Sequence, residues 1–435
     1  MREFQCDLAI IGSGPAGLAC AKSAAEHGVK KIVILERNPQ SGGILNQCIH
    51  NGFGLSVYKE ELTGPEYAYR ALQLIQRNFP FHKDPDMVED GISLFTETMV
   101  TYISKVVTDI AKDHQIQALS PKGVLIIHAQ KVFLAMGCRE RTRFNILTPG
   151  TRPAGIFTAG AIQKIINQEG LMPAKEAVII GSGDIGLIMA RRLTLEGAKV
   201  KLVSEILPYS SGLTRNIVQC LQDYNIPLRY NTALVDIIGK KRVEAVVVAP
   251  VDENRRPDLS RAKTITCDTV VFSVGLTPET DLTKTLGLVI DPATNGYQVD
   301  ETLQTSLPGF YSGGNVVHVH DLADLVTMES ERAGAGLAIP RVPRSAPVYL
   351  THNENLRYIV PQLLRYQSFG PLVLSMRSTR VLPKATLTII SEGQVILKQK
   401  REHVTPGEML VVTLPEVLAQ KIGNDLTVNL DEETL

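Results

Sequence analysis

The chain has 435 residues, 44% hydrophobic and 21% charged, an ordinary globular composition whose length suggests about three domains. Lys+Arg and Asp+Glu both number 45, so no net field draws the chain to nucleic acid, and the basic stretches Lys240–Arg242 and Lys398–Arg401 read as solvated surface. No run reaches the roughly 18 uncharged apolar residues of a bilayer span, and a strand pattern that begins by Leu8 leaves no room for a signal peptide, which points to the cytoplasm.

Leu8-Ala9-Ile10-Ile11 predicts a buried parallel strand, Ala16 to His27 an alanine-rich helix stopped by Gly28, and Lys31 to Leu35 a second strand. Together they make one βαβ unit. Thr101 to Phe133 reads as short β segments with a turn at Pro121-Lys122-Gly123, a small antiparallel sheet attached to that unit. The βαβ pattern then returns, with Ala177 to Ile180 as strand, Asp184 to Glu196 as helix ending at Gly197, and Lys199 to Val203 as strand. Pro340, Pro343 and Pro347 mark a linker. Beyond Asn355 the alternating runs Ala385–Ile390 and Gly393–Leu397 predict a β-rich appended domain with a hairpin at Glu392-Gly393.

Each βαβ unit carries glycines between strand and helix: Gly12-Ser13-Gly14-Pro15-Ala16-Gly17 and Gly181-Ser182-Gly183-Asp184-Ile185-Gly186. In such a pattern the first glycine makes the tight turn, the second admits a pyrophosphate, and the third lets helix and strand pack closely. The helix N-terminus then faces the phosphates. An acid ends the second strand of each unit at the same offset from the last glycine, Glu36 after Gly17 and Glu205 after Gly186. A carboxylate there can hydrogen-bond ribose hydroxyls.

One such pattern alone could be a structural turn; its duplication, with context and acid, predicts two dinucleotide sites. Glu205 has no Arg directly after it, which favours NAD over NADP, although Lys201 or Arg215 could still meet a 2′-phosphate. Two dinucleotides in one chain suit a tightly held flavin and a diffusible nicotinamide, between which hydride passes without a side-chain acid or nucleophile.

The six cysteines, Cys6, Cys20, Cys48, Cys138, Cys220 and Cys267, are scattered and form no CxxC, so neither a disulfide scaffold nor a zinc or iron-sulfur site is indicated.

Further segments resemble the pyridine-nucleotide-disulfide oxidoreductase superfamily, in which a nicotinamide domain is inserted into an FAD domain. Lys131–Gly137 and Thr269–Gly275 are similar to its two apolar-strand-plus-glycine crossovers, and Pro308–Asn315 resembles its second FAD motif, with Asn315 where that superfamily usually has Asp. The resemblance implies an α/β fold of two nested Rossmann-like domains: FAD-binding over 1–152 and 276–338, NAD-binding over 153–275, with a C-terminal β-rich domain over 339–435. It also implies that Arg37, Gly43, Ala135, Gly137, Gly275, Gly314 and Asn315 join the glycines and acids above as cofactor-binding residues.

Gly42–Gly54, Thr63–Ala68, Gly137–Arg141 and His318–Asp324 narrow the likeness to the bacterial NAD(FAD)-dependent dehydrogenases encoded beside anaerobic-type glycerol-3-phosphate dehydrogenases or oxidases. That resemblance implies work with a glycerol-3-phosphate-oxidising flavoprotein and a small Cys-rich redox protein. More distant relatives are subunits of amino-acid and opine dehydrogenases. The function expected is an NADH:acceptor oxidoreductase, able to form oligomers, with its net direction open. A self-sufficient NADH oxidase or peroxidase using Cys48, and a flavin-bound redox scaffold, are the alternatives.

Departures from the disulfide reductases bear on mechanism. Leu45 stands in the region of their first redox cysteine and only Cys48 follows, so an internal dithiol relay is not expected. Cys48 reads either as a thiol packed near the flavin or as a redox participant poised by His50, and Cys138 as structural or as a thiol acidified by Arg139 and Arg141. Arg139-Glu140-Arg141 could dock an acidic partner or form a surface ion-pair cluster. His318 and His320, with Asp321 and Asp324, invite a metal reading, but their position after the second FAD motif favours shaping the isoalloxazine edge; no metal is expected.

Overall fold

The computed structural model describes residues 1–105, 114–367 and 370–433. They form two compact units, Met1–Cys138 with Pro278–Leu435, and Arg139–Thr277.

The first unit begins with β1 (Arg2–Ile11), α1 (Pro15–Glu26), β2 (Lys31–Leu35) and α2 (Gly64–Asn78). It continues with β3 (Phe81–Lys83), β4 (Gly91–Phe95), β5 (Met99–Lys105), β6 (His114–Ser120) and β7 (Gly123–Leu134). The sheet order is β3-β4-β2-β1-β7-β6-β5. Its β1, β2, β3, β4 and β7 run parallel, and Leu8, Ala9, Ile10, Ile32, Val33 and Ile34 are fully buried, as a sheet covered on both faces requires. Burying each such Ile or Leu contributes about 1.5–3 kcal/mol.

Pro15 starts α1, where its missing N–H costs nothing, and Thr63 with Glu66 forms a reciprocal capping box on α2. The antiparallel β5-β6-β7 meander matches the β segments expected over Thr101–Phe133, with Pro121-Lys122 in the turn. The part of that stretch at 106–113 lies outside the described residues.

In the second unit β8 (Ile156–Thr158), α3 (Ala159–Asn167), β9 (Glu176–Ile180), α4 (Asp184–Leu195), β10 (Lys199–Ser204) and β11 (Leu228–Arg229) precede a three-stranded antiparallel sheet of β12 (Thr232–Gly239), β13 (Val243–Pro250) and β14 (Lys263–Thr266). β15 (Thr269–Phe272) completes a parallel sheet of order β8-β15-β9-β10-β11. Residues 139–152 group with this unit, whereas the sequence alone assigns them to the first domain. The reason is local: Arg143 donates to the carbonyls of Thr148, Pro149, Gly150 and Thr151, and Thr151 donates from N and Oγ1 to Ile237 O on β12.

The chain then re-enters the first unit through β16 (Phe310–Ser312), which pairs in parallel with β7, and α5 (Ala323–Ala338). α5 lies so close to α1 that a Cβ on Gly334 would sit 2.7 Å from Cys20 O. The rest is β-rich, a five-stranded and a three-stranded sheet around their own apolar core. Glu392 and Gly393 make the expected hairpin turn, both with positive φ (50° and 74°). Pro343 and Pro347, which by composition mark a linker, instead lie within β17 (Pro343–His352); the strand is irregular between Pro343 and Val348, which is how it accommodates residues without an N–H.

Candidate functional site

Three strand ends of the first unit, those of β1, β7 and β16, bring the N-terminal glycines, the 135–137 turn and the 313–315 turn to one edge of its sheet. Gly12 leaves β1 at φ +103°, and a Cβ there would lie 2.6 Å from Ala135 O. A Cβ on Gly17 would overlap Gly12 O, whereas one on Gly14 would find only Gly43 Cα at 4.0 Å. Gly43 crosses above at φ +57°. Gly12 and Gly17 are therefore fixed by packing, while Gly14 keeps the loop open. Gly14 caps α1 without a side-chain bond and the first turn holds no acid, so its amides and the positive end of the helix are left for a ligand.

Glu36, 4% exposed, is locked beside this loop. Its Oε2 accepts from Ser13 N at 3.0 Å and Ser13 Oγ at 2.7 Å, and its Oε1 accepts from Asn38 N at 2.8 Å. A carboxylate has about four lone-pair positions, so one on Oε1 remains for a ribose hydroxyl. Arg37 is exposed beside it. Gly137 turns at φ +71° and accepts from Glu279 N, while Ala135 N donates to Ile11 O. Gly314, at φ +74°, packs where a Cβ would meet Ala16 Cβ at 3.0 Å, which sets Asn315 beside the start of α1.

The second unit repeats this. A Cβ on Gly181 would run into Ser273 O, and one on Gly186 would lie 2.5 Å from Ser273 Cβ; Gly183 caps α4 without a side-chain bond. Glu205, also 4% exposed, accepts from Ser182 N at 2.9 Å, Ser182 Oγ at 2.6 Å and Leu207 N at 3.0 Å. Gly275 turns at φ +100° and its carbonyl accepts from Arg141 N at 2.9 Å. Lys201, considered as a phosphate contact, is engaged with Glu176 and Thr266 instead, and Arg215 is exposed on the helix Thr214–Cys220. Both loops fit a dinucleotide: the helix starts are uncapped by side chains, the first and third glycines have no room for a Cβ, and each acid has one acceptor position spare.

Several residues here carry no signal in the sequence. Asp184, in the first turn of α4, accepts from Leu213 N and Asn216 Nδ2, and Ser210 and Ser211 bond Ser182, so the 210–213 loop is strapped over the second motif. Glu140, which by sequence belongs to a basic docking cluster, turns to accept Gly160 N at 2.6 Å at the start of α3.

Glu329 on α5 accepts from Gly314 N at 2.8 Å, and its other oxygen lies 2.8 Å from His318 Nε2 and 3.3 Å from His320 Nε2. This trio falls within 4.8 Å, close enough for a metal. As a ligand His318 would need an acceptor for its Nδ1–H, and Nδ1 is buried with no partner among the described residues. The hydrogen bonds to Glu329 account for the trio as it stands. Asp321 is used elsewhere, bound by Arg377 from the β-rich region, and Asp324 accepts Gly54 N and Ser56 N.

Cys48 donates to Ile44 O at 3.3 Å, and burial pushes its thiol up to about 12. It is a neutral thiol at physiological pH. Cys138 Sγ accepts from Asn315 Nδ2 at 3.7 Å.

The sequence profile of the pyridine nucleotide-disulphide oxidoreductase family matches residues 6–336. The chain belongs to that family. Members of the family are oxidoreductases that bind FAD and NAD(P). The HcnB component of hydrogen cyanide synthase from Pseudomonas protegens is 25% identical over 325 residues, covering 71% of this chain and 65% of its own, so this chain spans just under two-thirds of that relative. An opine oxidase subunit of Agrobacterium tumefaciens is 24% identical, covering 92% of this chain and 79% of its own. Both relatives are, by name, components of larger enzymes.

Among solved structures, thioredoxin reductase of T. acidophilum shares the fold with a TM-score of 0.58 at 22% identity, covering 78% of this chain and 98% of its own. The NAD-dependent persulfide reductase of A. fulgidus does so with a TM-score of 0.56 at 18% identity, and its likeness covers 94% of this chain and 71% of its own, reaching the β-rich region. Among the described residues no helix is long and apolar enough to cross a membrane.

Proposed function

We propose that the N-terminal loop holds FAD, that the loop at Gly181–Gly186 holds NAD(H) in preference to NADP(H), and that the protein exchanges electrons with a partner protein. The observation that carries this reading is the repeated Ser–Glu lock, Ser13–Glu36 and Ser182–Glu205, beside two uncapped glycine-loop helices, of which the first also has the Gly314–Asn315 turn beside it. The α1 amides and Gly14 receive one pyrophosphate, and the α4 amides and Gly183 the other. Glu36 and Glu205 each accept a ribose hydroxyl on the spare lone pair, and Asn315 hydrogen-bonds the flavin end. An anionic Glu205 repels a 2′-phosphate, which supports NAD. Bound FAD supplies two-electron acceptor chemistry toward nicotinamide.

No dithiol relay is proposed. The names of the relatives support work with a partner subunit, and the resemblance carried by Gly42–Gly54 and His318–Asp324 supports a glycerol-3-phosphate dehydrogenase-type flavoprotein as that partner, with a small Cys-rich carrier.

The test is a pair of variants. Gly14→Val should give protein without flavin, and Gly183→Val yellow protein that NADH reduces poorly under anaerobic conditions. Loss of flavin from Gly183→Val, with Gly14→Val still yellow, would reverse the assignment.

A further inference from the structure

Leu147 is 86% exposed and holds φ at +51°, a conformation that a bulky side chain enters only at a cost. Its neighbours also turn outward: Phe144 is 58% exposed and Ile146 37%. Single exposed apolar side chains are ordinary, but a cluster of them on a strained backbone marks a surface that something else covers.

The loop is fixed from beneath. Arg143 is 6% exposed and spends its guanidinium on the carbonyls of Thr148, Pro149, Gly150 and Thr151. Thr142 donates from N and Oγ1 to Asn145 Oδ1 at 2.8 and 3.1 Å, and the guanidinium groups of Arg152 and Arg143 lie over the Phe144 ring, 5.0 and 5.8 Å from its centroid. These contacts hold the backbone that carries Leu147 and leave its side chain bare. Folding thus bears the strain at Leu147 and gains almost no burial from it.

The surroundings are basic. From Gly150 to Ala154 the chain runs along the tip of the β12–β13 hairpin: a Cβ on Gly150 would lie 2.5 Å from Asp236 Oδ1 and from Ile237 N, and Ala154 N donates to Lys241 O at 3.0 Å. The loop and the hairpin tip, 143–152 and 236–244, carry Arg143, Arg152, Lys240, Lys241 and Arg242 against Asp236 and Glu244. The excess is positive, and Arg152, Lys240 and Lys241 are exposed.

We propose that Phe144, Ile146 and Leu147 are the anchor of a docking surface for a partner protein, which receives them in an apolar pocket rimmed by carboxylates. The inference rests on the reading that this protein exchanges electrons with a partner, and it assigns the face used. A preformed anchor loses little freedom on docking. Apolar side chains at the centre of an interface carry much of its affinity, and the cations around them steer an acidic face into place. Charge decides against a second copy of this chain, because a two-fold contact would set the same basic face against itself. Geometry decides against a bilayer: a fluid surface gains nothing from a fixed backbone, and sinking Phe144 into hydrocarbon would draw two guanidinium groups in with it.

The test uses the full chain and, as probe, the glycerol-3-phosphate dehydrogenase-type flavoprotein of the same organism, purified separately and titrated at low and high salt. Leu147→Asn keeps a residue that tolerates positive φ and removes the apolar tip, while Arg152→Glu reverses one cation. Each should weaken association at least tenfold, and Arg152→Glu should also reduce its dependence on salt. NADH should still bleach the flavin of both variants, and the urea midpoint of Leu147→Asn should not fall, because Leu147 has almost no packing to lose. Equal affinity of the parent and either variant overturns the inference alone. A parent that does not bind the flavoprotein overturns the partner reading and the inference with it. A lower urea midpoint for Leu147→Asn overturns the inference as well. So does a parent oligomer that sediments as monomer in that variant, which would give the face to a second copy. Pelleting of the parent with phosphatidylglycerol vesicles, lost in the same variant, would give it to a membrane and overturn the inference too.

Discussion

Ser182 donates twice to one oxygen of Glu205, from its backbone N at 2.9 Å and its Oγ at 2.6 Å, as Ser13 does to Glu36. The serine between the first two glycines thus anchors the acid at the end of the neighbouring strand. Each acid is held rigid before any ligand arrives, with its free lone pair on Oε1. Preorganisation of this kind removes the cost of ordering a long side chain on binding.

Glu205→Arg is therefore expected to do two separable things. It leaves Ser182 N without its acceptor, which destabilises by about 1–3 kcal/mol. It also replaces the acceptor for a ribose hydroxyl by a cation, so the preference for NADH over NADPH in anaerobic flavin reduction should fall by at least tenfold. An unchanged ratio in folded variant protein would remove Glu205 from the nicotinamide site.

The glycines of the first motif should not respond alike. A methyl on Gly14 meets nothing closer than 4.0 Å, so Gly14→Ala should keep its stability within about 0.5 kcal/mol and lose only FAD affinity. Gly17→Ala puts its methyl on Gly12 O and should cost about 3 kcal/mol or more, beyond the usual range for overpacking because the obstacle is backbone. Urea denaturation of both, with flavin content measured alongside, checks the contrast.

The doubled βαβ unit was legible because its signals are local. Apolar runs, a glycine loop and a terminal acid fit within one stretch of chain, and Lys31–Leu35 forms the strand expected of it. The Glu392-Gly393 turn was legible for the same reason. Other features depend on partners distant in sequence. Asp324 holds Gly54 and Ser56 across 270 and 268 positions, and nothing near Asp324 announces that. His318 and His320 stood out as a pair, but Glu329, which decides what they do, is hidden in an ordinary helix sequence. Pro343 misled because proline marks a linker by composition, while pairing with Tyr366 makes it the start of a strand.

Stability should fall with acid because of His318. Its folded-state value is pushed down to about 4, below the roughly 6.5 of an unfolded histidine, so between those values the unfolded chain binds more protons. This contribution is complete above about pH 6.5 and is lost as pH falls toward 4. Between pH 6.5 and 5 the loss should approach about 2 kcal/mol. His318→Gln keeps a donor for Glu329 and removes the titration. Denaturation midpoints at pH 7 and pH 5 should therefore converge in that variant, and an equal acid sensitivity in both proteins would rule out His318 as the source.

Electron exit should not require Cys48. A dithiol relay needs a second sulfur whose Cα lies within about 7 Å and a thiolate to attack with. The six cysteines all stand as thiols, and Cys48, which burial pushes up to about 12, is protonated at neutral pH. Such a thiol is a poor nucleophile and a poor electron donor to a flavin ring. Cys48→Ser should therefore retain NADH-dependent reduction of artificial acceptors within about twofold, since a partly buried serine at this site can keep the bond to Ile44 O at a cost near 1 kcal/mol. Neither protein alone should reduce thioredoxin or glutathione disulfide. Anaerobic titration supplies the sharper measurement: about one equivalent of NADH should bleach the FAD completely in both proteins. A second equivalent taken up by the parent and absent from Cys48→Ser would mean that Cys48 reaches a thiolate or disulfide state which its surroundings in this structure disfavour.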